Sequence, residues 1–337
     1  MDRVLLTDPI DPAAVRMLSA EAEVIEAPDG EPATVRRLAR EADAIIIRSR
    51  LPEDIFEAAP RVRAVVIHGT GTDLVPLASA TACGVLVANL PGENAQSVAE
   101  YCVMAMLMLA RNVVAITGAL RADSWDNARA LGGGVHEIAG MTCGVVGVGE
   151  IGRRVARILR RGFGMRVLGN QRRLERLPPE AEPASLDALV AQSDFVVVTC
   201  PLTPETHHLF DRERIGRMRR EAWLINVGRG PVVDEAALVE ALRARRIRGA
   251  MLDVYQSYRL APGHPLFALD NAVLTPHLAG MTQESRARSG AAAAAEALRM
   301  LAGERPRNFV NPQAWEAHLR RTTPAAGRMA DRKGAVP

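Results

Sequence analysis

Short apolar runs alternate with amphipathic segments from the first residues of the chain. An apolar run of about 4–8 residues is typical of a buried strand, and apolar residues three and four apart are typical of a helix. In the N-terminal part this predicts strands at 4–6, 24–26, 44–48, 64–68 and 85–88, with helices at 12–20, 32–41 and 52–59. Such alternation favours a parallel sheet covered by helices.

Two long apolar helices, predicted at 94–111 and 112–121, precede a second alternating region. Its predicted strands are 144–147, 165–169, 195–199, 223–226, 249–253 and 273–275, followed by an alanine-rich helix at 282–303 and a last short strand at 308–311. Beyond residue 320 large apolar side chains almost disappear, which predicts a disordered tail.

A glycine motif opens the second region, where GVGEIG follows a short apolar run. In such a motif Gly147 makes a tight turn, Gly149 lets the backbone approach a phosphate, and Gly152 lets helix and strand pack closely. The free N–H groups at the start of the next helix then face the anion. With a strand before it and a helix after it, the motif predicts that a dinucleotide binds here.

The position of this motif predicts the domain organisation. It begins near residue 144, so another lobe is expected to fold from the preceding residues. Six strands are the number expected for a complete dinucleotide fold. We predict an α/β protein with two Rossmann-like domains, each a doubly wound parallel sheet. The nucleotide domain (99–289) is inserted into a flavodoxin-like substrate domain (1–98 and 290–320), and 321–337 form the tail.

Composition excludes several classes of function. The 42 basic and 39 acidic residues leave a net charge of only +3, and the arginines are scattered, which argues against nucleic acid as a partner. No apolar run reaches the ~18 residues of a membrane span, and no signal peptide is recognisable. The four cysteines lack C-x-x-C spacing. We therefore expect a cytoplasmic protein with reduced thiols, no membrane association and no metal site.

Two motifs carry polar side chains directly after predicted strands. WLINVGRG contains Arg229, and VLTPHLAG contains His277. Together with GVVGVGEIG, PGENAQSVAEYCVMAMLMLAR (91–111) and CPLTPETHHLF (200–210), they resemble the D-isomer-specific 2-hydroxyacid dehydrogenase family over roughly residues 40–312. The resemblance implies NAD(P)H-dependent hydride transfer between nicotinamide and C2 of a small 2-keto or 2-hydroxy acid.

The chemistry of that reaction matches the two side chains. Reduction of a keto acid develops negative charge on the carbonyl oxygen, which needs a cation and a proton donor. An arginine such as Arg229 can also grip the carboxylate, and a histidine such as His277 can exchange a proton near neutral pH. The resemblance assigns both residues these catalytic roles, and both are predicted to bind substrate.

One predicted catalytic position departs from the family. The glutamate that the family pairs with its histidine is replaced by Tyr258, counting five residues from Asp253. A carboxylate beside a histidine raises its pKa, whereas a phenol supplies no charge. We therefore expect a lower pKa for His277 than in relatives with the glutamate. Carboxylates elsewhere could substitute, as could the neutral Gln256: the candidates are Glu221, Glu235 and Glu284.

The end of the second strand of the nucleotide domain predicts which dinucleotide binds. An acidic residue usually stands about 20 positions after the glycine motif and binds the ribose hydroxyls. Gln171 takes that position here, and Arg172 and Arg173 follow, a combination that favours NADP(H) over NAD(H). With the motif and the resemblance, the predicted cofactor residues are Gly147, Gly149, Glu150, Ile151, Gly152, Asn170, Gln171, Arg172, Arg173, Cys200, Pro201, Thr206, Val227, Gly228, Asp253 and Gly280.

Substrate binding in the first lobe is predicted from a glycine loop and two arginines. In the family, backbone N–H groups of such a loop hold the substrate carboxylate, which implies Thr70 and Gly71 here. Arg48 and Arg50 could hold a second anionic group, or they could be ordinary solvated arginines.

Several readings of function stay open. The resemblance implies glyoxylate or hydroxypyruvate as substrate, and the arginines of the first lobe leave room for a dianionic keto acid bearing a phosphonate or sulfonate. An oxidative dehydrogenase would differ only in direction. The alternative is a non-catalytic nucleotide-sensing protein on the same fold, which Tyr258 supports and Arg229 and His277 argue against. The helices around 94–130 and Trp125 resemble the family's dimer-forming region and imply a homodimer.

Overall fold

A computed structural model describes residues 1–122 and 124–322. The chain forms two compact units. The first contains Met1–Glu93 and the segment that begins at Gln283, and the second is Asn94–Thr282. These boundaries lie a few residues from those expected, at 98/99 and 289/290. The second unit is thus inserted, along the chain, into the first.

The N-terminal segment of the first unit forms a parallel sheet. Its strands are β1 (Arg3–Leu6), β2 (Glu23–Glu26), β3 (Ala44–Ile47), β4 (Ala64–Ile67) and β5 (Leu86–Ala88), and its helices are α1 (Pro12–Ser19), α2 (Pro32–Ala39), α3 (Ile55–Ala58) and α4 (Leu77–Ala82). In the described residues the strand order is β2-β1-β3-β4-β5, the flavodoxin-like order. Strands β3 and β4 (AIII and AVVI) are buried throughout, as expected for a sheet covered on both faces. Helix α4 was not predicted.

The second unit begins with three helices and continues as a larger parallel sheet. The helices are α5 (Ala95–Ala110), α6 (Val113–Arg121), α7 (Trp125–Ala130), α8 (Glu150–Phe163), α9 (Leu186–Gln192), α10 (Arg212–Arg217) and α11 (Glu235–Arg243). The strands are β6 (Thr142–Val146), β7 (Arg166–Asn170), β8 (Glu182–Pro183), β9 (Phe195–Val198), β10 (Trp223–Asn226), β11 (Gly249–Leu252) and β12 (Ala272–Leu274).

Within the described part of this unit the strand order is β12-β11-β10-β9-β6-β7-β8. The sheet therefore has seven strands rather than the predicted six. The extra strand β8 pairs with β7 through only two residues, Glu182 and Pro183, and two residues are too few to produce an apolar pattern. Apolar clusters cover both faces of the sheet: α5 and α8 pack on one, and α9 and α11 on the other.

The chain then returns to the first unit through α12 (Gln283–Leu301) and α13 (Trp315–Thr322). Helix α12 packs against α1, where a Cβ on Gly290 would lie 3.0 Å from the Cβ of Ala14. The prediction of a strand at 308–311 is wrong. Phe309 forms a single antiparallel bridge to Ala88, and the side chain of Asn311 supplies further hydrogen bonds to Val87 N and Val85 O.

The end of the chain was predicted as a tail at 321–337. Arg321 and Thr322 instead belong to α13, where the Arg321 guanidinium donates to the carbonyl oxygen of Pro60. The rest of the predicted tail lies outside the described residues. In the described chain no single helix is long and apolar enough to span a membrane; α5 and α6 together meet that test by length and composition, with a 59° bend between them.

Candidate active site

The glycine motif forms the turn between β6 and α8. Gly147 has a φ of 93°, and a Cβ there would lie 2.6 Å from the backbone of Cys200. A Cβ on Gly152 would lie 2.6 Å from the carbonyl oxygen of Gly147, so this glycine permits close packing of helix and strand. A Cβ on Gly149 would meet nothing within 4 Å. Gly149 thus faces open space just before the first residue of α8.

That open space is a cavity of about 1000 Å³. The predicted cofactor residues that line it are Gly147, Gly149, Glu150, Asn170, Gln171, Arg172, Arg173, Cys200, Pro201 and Thr206. Sequence reasoning missed the other lining residues, which are Val146, Val148, Arg153, Arg176, Leu186, Thr199, Thr203, Glu205 and Leu209. Arg153 directly follows the glycine motif on α8, and Glu205 lies within the CPLTPETHHLF motif, so both had a usable signal; Arg176 lies in a segment without any motif.

The other predicted cofactor residues are not in the lining of this cavity: Ile151, Gly152, Val227, Gly228, Asp253 and Gly280. Gly152 and Gly228 are instead sites of close backbone packing, and a Cβ on Gly228 would lie 2.7 Å from the carbonyl oxygen of Cys200. A Cβ on Gly280 would lie 2.7 Å from the side chain of Asn94.

Four arginines surround the end of the cavity beyond β7. Arg172 and Arg173 come from the predicted loop, and Arg153 and Arg176 join them. The Arg153 guanidinium donates to the carbonyl oxygen of Arg176 (2.6 Å), which ties α8 to the short 3₁₀ turn Leu174–Arg176. The Gln171 amide donates to the carbonyl oxygen of Arg173 (2.8 Å) and closes the loop. This end of the cavity is therefore suited to an anion.

Two carboxylates and a thiol also belong to the cavity wall. Glu150 pairs with Arg154 one turn along α8 (2.7 Å). A hydrogen bond from Thr203, with help from the charge of Arg172, lowers the pKa of Glu205, so this carboxyl stays ionised. Burial raises the pKa of Cys200 to about 11, so its thiol stays neutral beside any phosphate.

Arg229 lies in a tightly packed turn after β10. The buried Asn226 holds the turn, since its Oδ1 accepts from Gly228 N (3.1 Å) and its Nδ2 donates to Arg229 O (3.1 Å). A Cβ on Gly230 would lie 1.7 Å from the carbonyl oxygen of Tyr255, so only glycine fits. The two glycines on either side of Arg229 therefore fix the backbone from which its side chain extends.

His277 lies in a second turn, after β12, and has a left-handed φ of 57°. Asp253, which is 1% exposed, holds this turn. Its Oδ1 accepts from Thr275 Oγ1 (2.6 Å) and Leu278 N (2.7 Å), and its Oδ2 accepts from Ala279 N (2.9 Å). Asp253 was predicted as a cofactor residue; the structure gives it the role of a buried anchor for the His277 turn.

Tyr255 joins the two turns. Its carbonyl oxygen packs against Gly230, and its hydroxyl donates to the carbonyl oxygens of Leu252 (3.1 Å) and Thr275 (2.8 Å). Since β10, β11 and β12 run parallel, Arg229 and His277 leave the same edge of the sheet. Ligands of such sheets bind at that edge. Sequence reasoning gave Tyr255 no role.

Tyr258 lies beside His277, with ring centroids 6.3 Å apart and an edge-on angle of 66°. Tyr258, predicted to replace the glutamate of the family, thus neighbours the histidine in the structure. Two of the carboxylates proposed as substitutes are engaged elsewhere. Glu221 pairs with Arg248 (2.7 Å), and Glu235 contacts His264 Nε2 (3.1 Å).

The predicted substrate residues of the first unit lie at the carboxyl ends of its strands. Arg48 follows β3 and its backbone N–H donates to Thr7 Oγ1 (3.3 Å), whereas Arg50 is exposed. The carbonyl oxygen of Thr70, in the predicted glycine loop with Gly71, accepts from Asn89 (2.7 Å).

His68 is the first residue of the predicted loop and lies close to Arg48 and Arg286 of α12. Burial, reinforced by the positive charges of these two arginines, lowers the pKa of His68 to about 4. The imidazole is therefore neutral near neutral pH, and the two guanidinium groups carry the positive charge of this region. Sequence reasoning included His68 in the predicted loop but did not connect Arg286 with it, because α12 is more than 200 residues away along the chain.

Comparison with known proteins places this arrangement in a family. The model of the D-isomer specific 2-hydroxyacid dehydrogenase NAD-binding domain matches residues 103–279. The glyoxylate reductase of Thermofilum pendens is 38% identical over 275 residues, which cover 80% of this chain and 80% of that protein.

Two solved structures share the fold over nearly their whole length. The NAD-dependent formate dehydrogenase of Staphylococcus aureus, in complex with NAD, has a TM-score of 0.83 at 27% identity, covering 92% of this chain and 99% of that one. The NADPH-dependent glyoxylate/hydroxypyruvate reductase of Sinorhizobium meliloti has a TM-score of 0.81 at 26% identity, covering 93% and 99%. Since the family model spans more than half of the 337 residues, and relatives match along most of the chain, this chain belongs to the D-isomer-specific 2-hydroxyacid dehydrogenase family.

Proposed function

We propose that the protein is an NADPH-dependent reductase of a small 2-keto acid, with glyoxylate and hydroxypyruvate as its first candidate substrates. One observation carries the proposal: Arg229 and His277 leave the same sheet edge as the glycine turn, from turns joined by Tyr255. Relatives named glyoxylate reductase and glyoxylate/hydroxypyruvate reductase support this substrate class.

The residues present fit a dinucleotide. Gly149 leaves open space at the start of α8, where backbone N–H groups can receive a pyrophosphate, and the cavity extends from there to the arginines beyond β7. When bound, NADPH supplies the hydride that adds to the carbonyl carbon of the keto acid. The backbone around Gly149 does not have to move to admit the dinucleotide, because even a Cβ at this position would have room.

Arg229 and His277 have separate roles in this proposal. The guanidinium of Arg229 stabilises the negative charge that develops on the carbonyl oxygen and can hold the carboxylate of the substrate. Protonated His277 donates its proton to that oxygen, which yields the hydroxyl group. In the direction of oxidation, neutral His277 accepts the proton instead. The ring of Tyr258 borders the imidazole.

The preference for NADPH rests on the end of the cavity beyond β7. Four arginines face the position next to Gln171, where a carboxylate would repel a 2′-phosphate. Glu205 lies in the same wall close to Arg172 and offsets part of the positive charge. The four arginines still outnumber this carboxylate, so this end of the cavity favours the 2′-phosphate of NADPH.

Initial rates test this proposal directly. We expect NADPH oxidation with glyoxylate or hydroxypyruvate, and a kcat/KM for NADPH at least tenfold above that for NADH. Changing Arg172 and Arg173 together to glutamine should lower kcat/KM for NADPH about 10- to 100-fold, with that for NADH within about threefold. Arg160→Gln, at an exposed position of α8 outside the cavity lining, is the control.

Two results would contradict the proposed function. A preference for NADH in the wild-type enzyme would overturn the cofactor assignment. Tight NADPH binding without turnover of any keto acid would favour a nucleotide-sensing protein instead. The same assay with phosphonate- and sulfonate-bearing keto acids tests whether Arg48 and Arg50 hold a second anionic group of the substrate, as a lower KM for these compounds would indicate.

We further propose that the enzyme is a homodimer formed through α6 and α7. Helix α6 buries none of its residues within the described chain although most are apolar, and Trp125 of α7 is 68% exposed. Exposed apolar surface of this extent marks an interface. Val114→Glu should convert the dimer to a monomer in light scattering, whereas Met17→Glu on α1 should not. A monomeric wild-type protein at micromolar concentration would refute this.

A further inference from the structure

A single carboxylate holds both ends of the loop that carries Tyr258. Glu235, the first residue of α11, accepts the backbone N–H of Gln256 on Oε2 (3.0 Å). Its other oxygen, Oε1, lies 3.1 Å from Nε2 of His264. Residues 257–263 form the loop between these two contacts, which we call the Tyr258 loop.

The hydrogen bonds of His264 define its tautomer. The backbone N–H of Leu266, which is buried, donates to Nδ1 of His264 (3.3 Å). Nδ1 is therefore an acceptor, and the ring hydrogen of the neutral imidazole lies on Nε2, which donates to Glu235. The side chains of Glu235 and His264 are only 17% and 20% exposed, so water competes weakly for this contact.

The Tyr258 loop packs against the apolar core only through the half-buried Leu260. Residues 257–259 and 261–263 are exposed, and Tyr258 is 70% exposed although its ring borders His277. Gly263, with a φ of 78°, turns the chain back towards His264. A loop with few buried contacts opens easily unless its ends are held. Its attachment at Gln256 and His264, together with the packing of Leu260, therefore determines how often Tyr258 meets the imidazole.

We propose that Glu235 and His264 are positioning residues that hold Tyr258 beside His277 and so keep the imidazole aligned for proton transfer. The proposal rests on the proposed role of His277 in keto acid reduction. It gives Glu235 an indirect part in catalysis: it acts through Tyr258 and does not contact the reacting atoms.

A pair of histidine variants separates this role from a general loss of packing. In the His264→Gln variant, the side-chain amide nitrogen can take the place of Nε2 and still reach Glu235. In the His264→Asn variant the side chain is shorter, and its amide can take only the place of Nδ1. We expect His264→Asn and Glu235→Ala to lower kcat about tenfold with KM for NADPH unchanged, and His264→Gln to retain most of the wild-type kcat. Equal losses in the two histidine variants would overturn the proposal.

A double-mutant cycle tests whether the effect passes through Tyr258. Tyr258→Ala, which removes the ring that borders His277, should lower kcat by a similar factor, and adding His264→Asn to it should change kcat less than about twofold. Independent, multiplicative losses would contradict the proposal, and so would a Tyr258→Ala enzyme with wild-type kcat.

A readout without turnover keeps this test separate from the proposed function. Arg259, exposed in the Tyr258 loop, is a trypsin site. Glu235→Ala and His264→Asn should speed cleavage after Arg259, measured by mass spectrometry, whereas His264→Gln should not. An unchanged rate of cleavage in Glu235→Ala and His264→Asn would refute the attachment of the loop, even if the wild-type protein reduced no keto acid. If the cleavage rate changes as expected but no keto acid is reduced, the proposed function fails and the attachment of the loop stands.

Discussion

Replacement of His277 by asparagine is expected to lower kcat for keto acid reduction about 10²–10⁴-fold, the usual contribution of a positioned proton donor. Asparagine is the appropriate replacement because His277 has a φ of 57°, a conformation that asparagine adopts more readily than most residues. The hydrogen bonds between Asp253 and the backbone of the turn do not involve the imidazole. The variant should therefore keep the turn while it loses the proton donor and the ring contact with Tyr258.

Stopped-flow measurement of NADPH oxidation gives this rate, and quenching of protein fluorescence gives the affinity for NADPH. The affinity should change less than about threefold. His136→Asn is the matched control, since His136 packs against Trp223 at the opposite end of β10. A His277→Asn enzyme that retains more than a tenth of the wild-type kcat would exclude His277 as the proton donor.

Replacement of Gly147 by alanine is expected to destabilise the protein by about 3 kcal/mol or more, from backbone strain and a steric clash together. The φ of 93° is strained for any residue with a Cβ, and the new methyl group would lie 2.6 Å from the backbone of Cys200. Backbone cannot move aside as a flexible side chain can. We expect a clearly lower melting temperature by calorimetry and loss of NADPH binding.

Gly149→Ala should leave the stability of the protein unchanged and weaken NADPH binding. Its Cβ would meet nothing within 4 Å of the protein, so the melting temperature should stay within about 2 °C of wild type. The methyl group would instead occupy the space into which a pyrophosphate must approach, and NADPH affinity should fall at least tenfold. Equal stability losses in the two alanine variants would show that the open space at Gly149 has no special role.

The sequence predicted the fold well because the signals that specify it are local. Runs such as FVVV and AIII are strands buried on both faces, and the glycine motif marks the turn before α8. The family followed from the motifs around Arg229 and His277, and the comparisons confirm it.

The remaining features could not be read from the sequence because they depend on residues far apart in the chain. Strand β8 is too short for a pattern, and the segment predicted as a last strand is held by one backbone bridge and by the side chain of Asn311. Arg176 reaches the cavity only because α8 and the loop after β7 come together. The carboxylate of Glu235 was considered as a partner for His277, but the fold brings it to His264, 29 residues along the chain.

The contacts of Tyr255 have a consequence for how the side chains of Arg229 and His277 move. Because its backbone abuts Gly230 and its hydroxyl holds Thr275, a displacement of one turn is transmitted to the other. Thermal fluctuations of Arg229 and His277 are then expected to be correlated, and the spacing between them to vary less than the position of either. Such a pair loses less conformational entropy when a substrate bridges it than two independently moving loops would.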